Sequence, residues 1–503
     1  MADGVTRDTV IAAPPARVLP LGSTALSPVP GARDPKLAER IAASLEADVL
    51  RAGWPVGKVI GSEDQLIARY GVGRAVIREA IRLAEHRQVV RMRRGRGGGL
   101  VVVEPDVSAV TESLEILLEY AQADVDDLLE ARQVLEGFAA AAAAAAPLGA
   151  AELHALRQVA RDTPGCASAP TGSGASLTHE LIADATANAA LSLFVRAIAS
   201  LTDQRCRNGL RHNPARDSGQ VSHTAIAEAI AAGNAELARN LIRAEIEELR
   251  ASVRSAPREP DEPKAGRAAA RRGAQLRPAD LIAERIRQDI IDRGWPVGES
   301  LGFEVDLMQR YGIGRAQFRE AVRILENHSV VRMQRGAAGG MVVATPDGRA
   351  IVRAVSLYLT YQGMNSADIR ALRAELETAT LQLTIDRLDA EGIKRLMGVL
   401  ELERTWPDDD FPAVSHDLHA VIAELSGNRT LGLLQSIAMQ LTAERLHSGD
   451  PHRVTEPPDA VRRAHQAIVR AIIARDAPLA LRRMDKHLGA IARWTIESSR
   501  SHH

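Results

Sequence analysis

The chain has 503 residues, 46% hydrophobic and 25% charged, with a formal net charge of −1 at pH 7, which predicts three or four globular domains and argues against a histone-like coating protein. Its two cysteines, Cys166 and Cys206, form neither a disulfide framework nor a zinc-type Cys spacing. No segment approaches the ~20 consecutive apolar residues that span a bilayer, and residues 1–33 lack the charged-then-apolar order of a signal peptide; a cytoplasmic protein with no membrane partner is expected.

In chain order, residues 1–33 are rich in Pro and Ala without periodicity and read as a disordered tail. Residues 34–106 open with an amphipathic helix, in which Ile41, Leu45 and Val49 recur at four-residue spacing. A short helix from Glu63 ends at Arg69-Tyr70-Gly71, and a second begins at Arg74 with Gly73 at its N-cap. That is the punctuation of a helix-turn-helix. The run VVRMRRGRGGGLVVV then reads as two β-runs around a Gly-rich tip, a hairpin wing. Because GRGGG joins two strands rather than a strand and a helix, it is a poor nucleotide-binding signal.

Residues 107–252, rich in Ala, Leu, Ile, Arg and Glu, read as several packed helices. The alanine run from Ala139 to Ala146 continues the register of the helix carrying Arg132 and Glu136 and stops at Pro147. Residues 253–277 have linker composition. Then the pattern returns: residues 54–104 recur at 295–345, a constant 241 positions later, with Ile282, Ile286 and Ile290 repeating the first helix. A second DNA-reading module is therefore expected at 278–347 and a second helical region at 348–498. The predicted fold class is mainly α, with two winged helix-turn-helix domains each followed by an all-α effector bundle.

Positive charge gathers in the repeated module. Positions 74–96 hold eight Arg against Glu79 and Glu85, a net of +6, and positions 315–337 hold five Arg against Glu320 and Glu326, a net of +3. Double-stranded DNA would attract such stretches through its phosphates. Arg74 and Arg78, like Arg315 and Arg319, lie four apart on one face near a helix N-terminus, where a guanidinium can fork onto guanine or clamp a phosphate. The candidate DNA-contacting set is Arg74, Ala75, Val76 and Arg78 with Arg94, Arg96 and Gly97 on the wing, and Arg315, Ala316, Gln317 and Arg319 with Arg335.

The stretch GSEDQLIARYGVGRAVIREAIRLAE resembles the N-terminal winged helix of GntR-family bacterial transcription regulators. Glu63, Leu66, Gly71, Val72, Arg74, Arg78, Glu79 and Ala80 fit that pattern, as do Glu304, Leu307, Gly312, Ile313, Arg315, Arg319, Glu320 and Ala321. The family often places a DNA-contacting Arg directly after the first Glu, where this chain has Asp64 and Val305. Members of that family bind inverted-repeat operators as homodimers, which implies an intrachain pseudo-dimer that supplies both readers and leaves homodimerisation open. Val76 stands opposite Gln317 in the repeat, and only Gln can hydrogen-bond adenine, so unequal half-sites are expected.

The second helical region resembles the FCD ligand-binding domain of the FadR-type branch, a bundle with a polar cavity. The resemblance implies a metal set of an Asp, a His four residues later, a further His, and a last His 22 residues beyond it. His419, His465 and His487 match; the Asp position is Ser415, for which His416 is a substitute. A turn at Arg475–Pro478 would leave arms of similar length and bring His465 and His487 to one level of an antiparallel helix pair. In the first copy His179, His223 and Glu245 take these places, with Ala175 at the Asp position. A divalent metal, zinc first, is implied in the C-terminal copy and less so in the N-terminal one. The same resemblance offers Arg132 and Arg373 to a small organic-acid effector, against the plainer reading of ion pairs with Glu136 and Glu377 four residues on.

These readings converge on a ligand-responsive transcription regulator, a repressor in the usual mode, and not an enzyme: a metalloenzyme would need a general base that the three histidines do not supply. The alternative is an architectural DNA-binding protein that no longer senses an effector. DNA affinity is expected to lean on the more basic N-terminal reader and sensing on the better-preserved C-terminal histidines.

Overall fold

The computed structural model describes residues 37–93, 95, 98–163, 175–210, 223–255, 278–334, 339–405, 411–447 and 458–500. Among them are twenty helices and two three-stranded sheets. The tail before residue 37 and linker residues 256–277 lie outside this set, while the tenth helix continues through Ser255, into the stretch read as linker.

The first reader consists of α1 (Leu37–Arg51), β1 (Val59–Gly61), α2 (Glu63–Tyr70), α3 (Arg74–His86), β2 (Val90–Arg93) and β3 (Gly99–Val102). Ser62 and Gln65 close a capping box at the start of α2, and Gly71 ends it at φ 63°, a left-handed conformation that glycine adopts without a Cβ clash. Ile41, Leu45 and Val49 are buried against Ile77, Ala80 and Ile81, so the four-residue spacing marks the face that holds the module together. The second reader repeats this with α11 (Pro278–Asp292), β4 (Ser300–Gly302), α12 (Glu304–Tyr311), α13 (Arg315–Asn327), β5 (Val331–Gln334) and β6 (Gly340–Val343).

Each wing is the expected antiparallel hairpin, Val90 facing Val102 and Val331 facing Val343. A third strand that the pattern did not predict, β1 or β4, pairs with the outer side of β3 or β6. At three residues, with a register shift inside the pairing, these strands are too short to show a period of two.

The helical body follows. α4 (Val107–Tyr120), α5 (Val125–Ala145), α6 (Ala150–Asp162), α7 (Ala175–Asp184), α8 (Ala189–Leu210), α9 (His223–Ala231) and α10 (Ala235–Ser255) form the first bundle. The second comprises α14 (Gly348–Tyr361), α15 (Ser366–Arg387), α16 (Ala390–Thr405), α17 (Phe411–Leu425), α18 (Arg429–His447), α19 (Pro458–Ile473) and α20 (Ala477–Arg500). The alanine run is packed helix as expected: Ala139, Ala140, Ala143 and Ala144 are buried, and α5 lies along α10.

The bundles share one continuous core, with Leu128, Leu135, Phe194 and Ile246 of the first joined to Ile351, Leu372, Leu434 and Ile437 of the second. The seam is reciprocal: the Asn188 amide donates to the Asp368 carbonyl at 3.1 Å, and the Asn428 amide to the Asp127 carbonyl at 3.1 Å. The readers are crossed. The first packs on α14 of the second half, with Leu357 in its core and Trp54 edge-on to Tyr361 at 5.6 Å; the second packs on α4 of the first half, with Ile116 in its core and Trp295 edge-on to Tyr120 at 5.8 Å.

Candidate DNA-reading surface and histidine clusters

α3 and α13 both start at a glycine N-cap with no side-chain cap, Gly73 and Gly314, so the positive end of each helix stays open. The four predicted arginines stand at these ends with side-chain exposures of 60% for Arg74, 55% for Arg78, 65% for Arg315 and 67% for Arg319, enough to reach a ligand. They are steered from below by one carboxylate per module. Arg78 Nε donates to Glu63 at 2.9 Å with Arg74 3.4 Å away, and Arg315 and Arg319 lie 3.2 and 3.5 Å from Glu304.

Asp64 adds a pairing that the second module lacks, accepting from Arg74 at 2.7 Å, whereas the corresponding Val305 is 63% exposed. Part of the first reader's excess charge is therefore offset at its tip. Ala75 and Ala316 are exposed. Val76 is half-buried against its module's core, and Gln317 is exposed with Oε1 accepting from Gly314 N–H at 3.4 Å. Arg94, Arg96, Gly97 and Arg335 lie outside the described residues. Arg91 and Arg332, on the exposed face of the wing strands, were not singled out from the sequence. The alternation of β2 and β5 is the signal that would have found them.

In the second bundle α17, α19 and α20 bring His419, His465 and His487 together, all buried. His465 Nε2 is 3.2 Å from His487 Nε2, which is 3.3 Å from His419 Nε2. The antiparallel α19–α20 pair turns at Arg475, as the spacing required. Glu377 on α15 holds His419 Nδ1 at 2.6 Å and Glu403 on α16 holds His465 Nδ1 at 2.7 Å, which turns both Nε2 atoms inward. Burial, with His419 and His465 alongside, pushes His487 down to about 2, and burial also lowers His465, so both stay neutral near pH 7.

Three imidazole nitrogens aimed at one another suit a cation between them. A tetrahedral zinc with Zn–N near 2.0–2.1 Å separates its nitrogens by about 3.4 Å. The side chains of His416 and Ser415 lie outside the described residues, so the fourth expected ligand is not placed. Glu403 had no sequence signal, since it lies 62 residues from its partner on a different helix.

The first cluster differs in kind. His223 Nε2 lies 3.0 Å from Glu245 and 3.2 Å from His179 Nε2, and His179 Nδ1 lies 3.0 Å from Glu136. Burial alone would raise the Glu245 carboxyl, but His179 and His223 hold it well below its usual range. Here a carboxylate faces the imidazoles and can accept their N–H groups. Thr163 takes the place of Glu403, its hydroxyl 3.0 Å from His223 Nδ1.

Arg132 and Arg373 are buried, and both make the intrahelical pair: Arg132 Nε donates to Glu136 at 2.6 Å and Arg373 Nε to Glu377 at 2.5 Å. Each pair touches a histidine cluster through its glutamate. Against the pull of burial, Arg132 and His179 hold Glu136 at about 2, and Arg373 and His419 hold Glu377 well below the ordinary range. Arg373 Nη2 has no hydrogen-bond partner among the described residues, which leaves a buried donor beside the triad.

Two open-ended recognition helices carried on one helical body define a class, the DNA-binding transcription regulators. Comparison with known proteins narrows it. Residues 37–99 and 278–340 match the bacterial regulatory proteins of the gntR family, and residues 127–248 and 368–490 match the FCD domain. The chain belongs to the gntR family, with its two domain types repeated in tandem. It is 27% identical over 244 residues to the HTH-type transcriptional repressor NanR of Cronobacter sakazakii, spanning 47% of this chain and 92% of that protein. It is 26% identical to the NanR of Salmonella newport over 228 residues, 44% of this chain and 86% of that one. A solved Streptococcus agalactiae GntR chain aligns with 43% of this chain and 99% of its own at 21% identity, with a TM-score of 0.35. No described helix is long and apolar enough to cross a membrane.

Proposed function

We propose that this regulator is a cytoplasmic, ligand-responsive repressor whose two readers contact one operator with unequal half-sites and whose second bundle senses a small carboxylate through a bound divalent metal. The observation that carries this reading is the convergence of His419, His465 and His487 on one point, with the buried Arg373 guanidinium one glutamate away. The three imidazoles would hold the metal, zinc first, and Arg373 Nη2 offers a donor to an acid bound next to it. The metal would supply an electrophilic anchor for the carboxylate, and the arginine would fix its orientation. Arg132 is the counterpart in the first bundle, where Glu245 already supplies the negative charge and weakens the case for a metal.

The unequal half-sites rest on Val76 against Gln317 and on the differing arginine content of the wings. Val76 adds little polar readout from its half-buried position, whereas Gln317 needs only to release Gly314 to present its amide to a base edge. Operator selection followed by footprinting tests this, and a symmetric preferred site would count against it. Sensing is tested by gel-shift titration of that operator with small mono- and dicarboxylates, with and without prior chelation. Release of DNA by one acid only when metal is present supports the proposal. Binding indifferent to metal and to every acid tried would favour the architectural reading.

A further inference from the structure

The two crossings between reader and opposite bundle are related by the repeat, yet their charges are reversed. In the first, Glu46 on α1, 3% exposed, accepts from Arg87 of its own module at 2.5 Å and from Arg353 Nε of α14 at 2.9 Å. In the second, the position 241 residues on is Arg287, which donates to Glu119 of α4 at 2.5 Å and to Glu284 at 2.6 Å and lies 3.6 Å from Glu115. Opposite it, the position matching Arg353 is Glu112, 3.7 Å from His328, and the positions matching Glu115 and Glu119 are Ser356 and Thr360. Both partners have exchanged sign, so each observed crossing is complementary.

We propose that this reversal is a pairing lock: it makes the first half fit the second half of the same chain and disfavours either half against its like from another copy. If two first halves paired, Glu46 would face Glu112, Glu115 and Glu119, with Arg287 gone from the cluster and Arg87 remaining. If two second halves paired, Arg287 and Arg353 would meet over Glu284. Like charges brought together in a desolvated seam cost several-fold to many-fold in pairing, whereas each observed crossing sets its central charge against groups of opposite sign. The inference goes beyond the regulatory reading, and its test uses neither DNA nor ligand.

The test grafts the second half's charge set onto the first reader in the full chain, Ala43→Glu/Glu46→Arg/Arg87→His, and measures mass by light scattering and unfolding by calorimetry. The wild-type chain is expected at its single-chain mass of 54.0 kDa. The graft sets a guanidinium at position 46 against that of Arg353, so Tm should fall by several degrees, with material moving to twice the mass as the grafted reader finds α4 of a second copy. Adding Arg353→Glu/Ser356→Glu/Thr360→Glu makes α14 resemble α4 and should return both mass and Tm toward wild type. The lock is overturned by a graft with wild-type mass and Tm, by the six-fold variant faring no better than the graft alone, or by a wild-type chain already at twice the single-chain mass.

Discussion

At the residue scale, what distinguishes the two copies is which atom faces the imidazoles. With Glu245 as the third group, the first cluster carries its own carboxylate; with His487, the second presents a third imidazole nitrogen in its place. His487→Ala should therefore abolish most metal uptake, and Glu403→Gln, which frees the His465 ring, should weaken affinity by about 10–100-fold. Glu245→His should raise uptake by the first bundle. Metal content by mass spectrometry after dialysis checks all three, and an undiminished content in His487→Ala would sink the assignment. A pH effect belongs at this scale too. Burial, reinforced by the hydrogen bond to Asp48, raises Tyr70 from 10.0 to about 12, and Tyr311 is raised in the same way beside Asp289. Since the folded value is the higher one, this contribution to stability is full below pH 10 and is lost as pH rises through about 12. Ultraviolet titration should show Tyr70 and Tyr311 among the tyrosines that ionise late, and Tyr70→Phe should remove one late-ionising group.

At the element scale, the reader depends on helix ends and on close backbone approach in the wing. Arg78→Ala and Arg319→Ala each remove one exposed guanidinium that a carboxylate has oriented, and each should cost about 1–3 kcal/mol of operator binding if it reads a base. A loss equal across sequences, with a shallower salt slope, would instead mark a phosphate contact. Because Asp64 offsets Arg74, Arg74→Ala is expected to cost less than Arg315→Ala by fluorescence anisotropy, which narrows the greater affinity expected of the N-terminal reader. In the second wing Gly340 sits at φ 109°, and a Cβ there would lie 2.5 Å from the Gly302 carbonyl oxygen. Gly340→Ala should thus part β4 from β6, at a stability cost of order 1–3 kcal/mol by thermal melt. The helices and hairpins were legible in the sequence because each spans several repeats of its own period. The three-residue β1 and β4 were not, since their place is set by the partner strand.

At the scale of the whole molecule, the chain is an interleaved pair rather than four beads on a string. α4 begins beside the first reader, where Gln88 accepts from Asp106 N–H at 2.8 Å, and ends under the second at Ile116 and Tyr120; α14 makes the mirror connection to Leu357 and Tyr361. A shift in either bundle would therefore reach both readers, the coupling that a ligand-controlled operator spacing requires. The reciprocal asparagines bind the seam. Asn188→Ala and Asn428→Ala each remove a hydrogen bond across the seam together with the side-chain cap on Leu191 or Leu431 N–H, and should each cost about 1–3 kcal/mol, read as loss of Tm. Independent melting of the two halves in the double variant would show that the seam is what makes the chain unfold as one unit.

The sequence by itself determined the duplication, the helix-turn-helix, the arginines at its helix ends and the histidines of each bundle, because all of these are carried by local spacing or by the fixed offset of the repeat. Only the tertiary structure decided which reader rests on which bundle, which glutamates orient the histidines, and that Asp64 shields Arg74. The pairings between halves and between helices join positions far apart in the chain, such as Glu46 with Arg353 or His465 with Glu403. No period in the sequence links them. What selects them is the matching of shape and charge when two similar halves close on one another, a condition that exists only in the folded molecule.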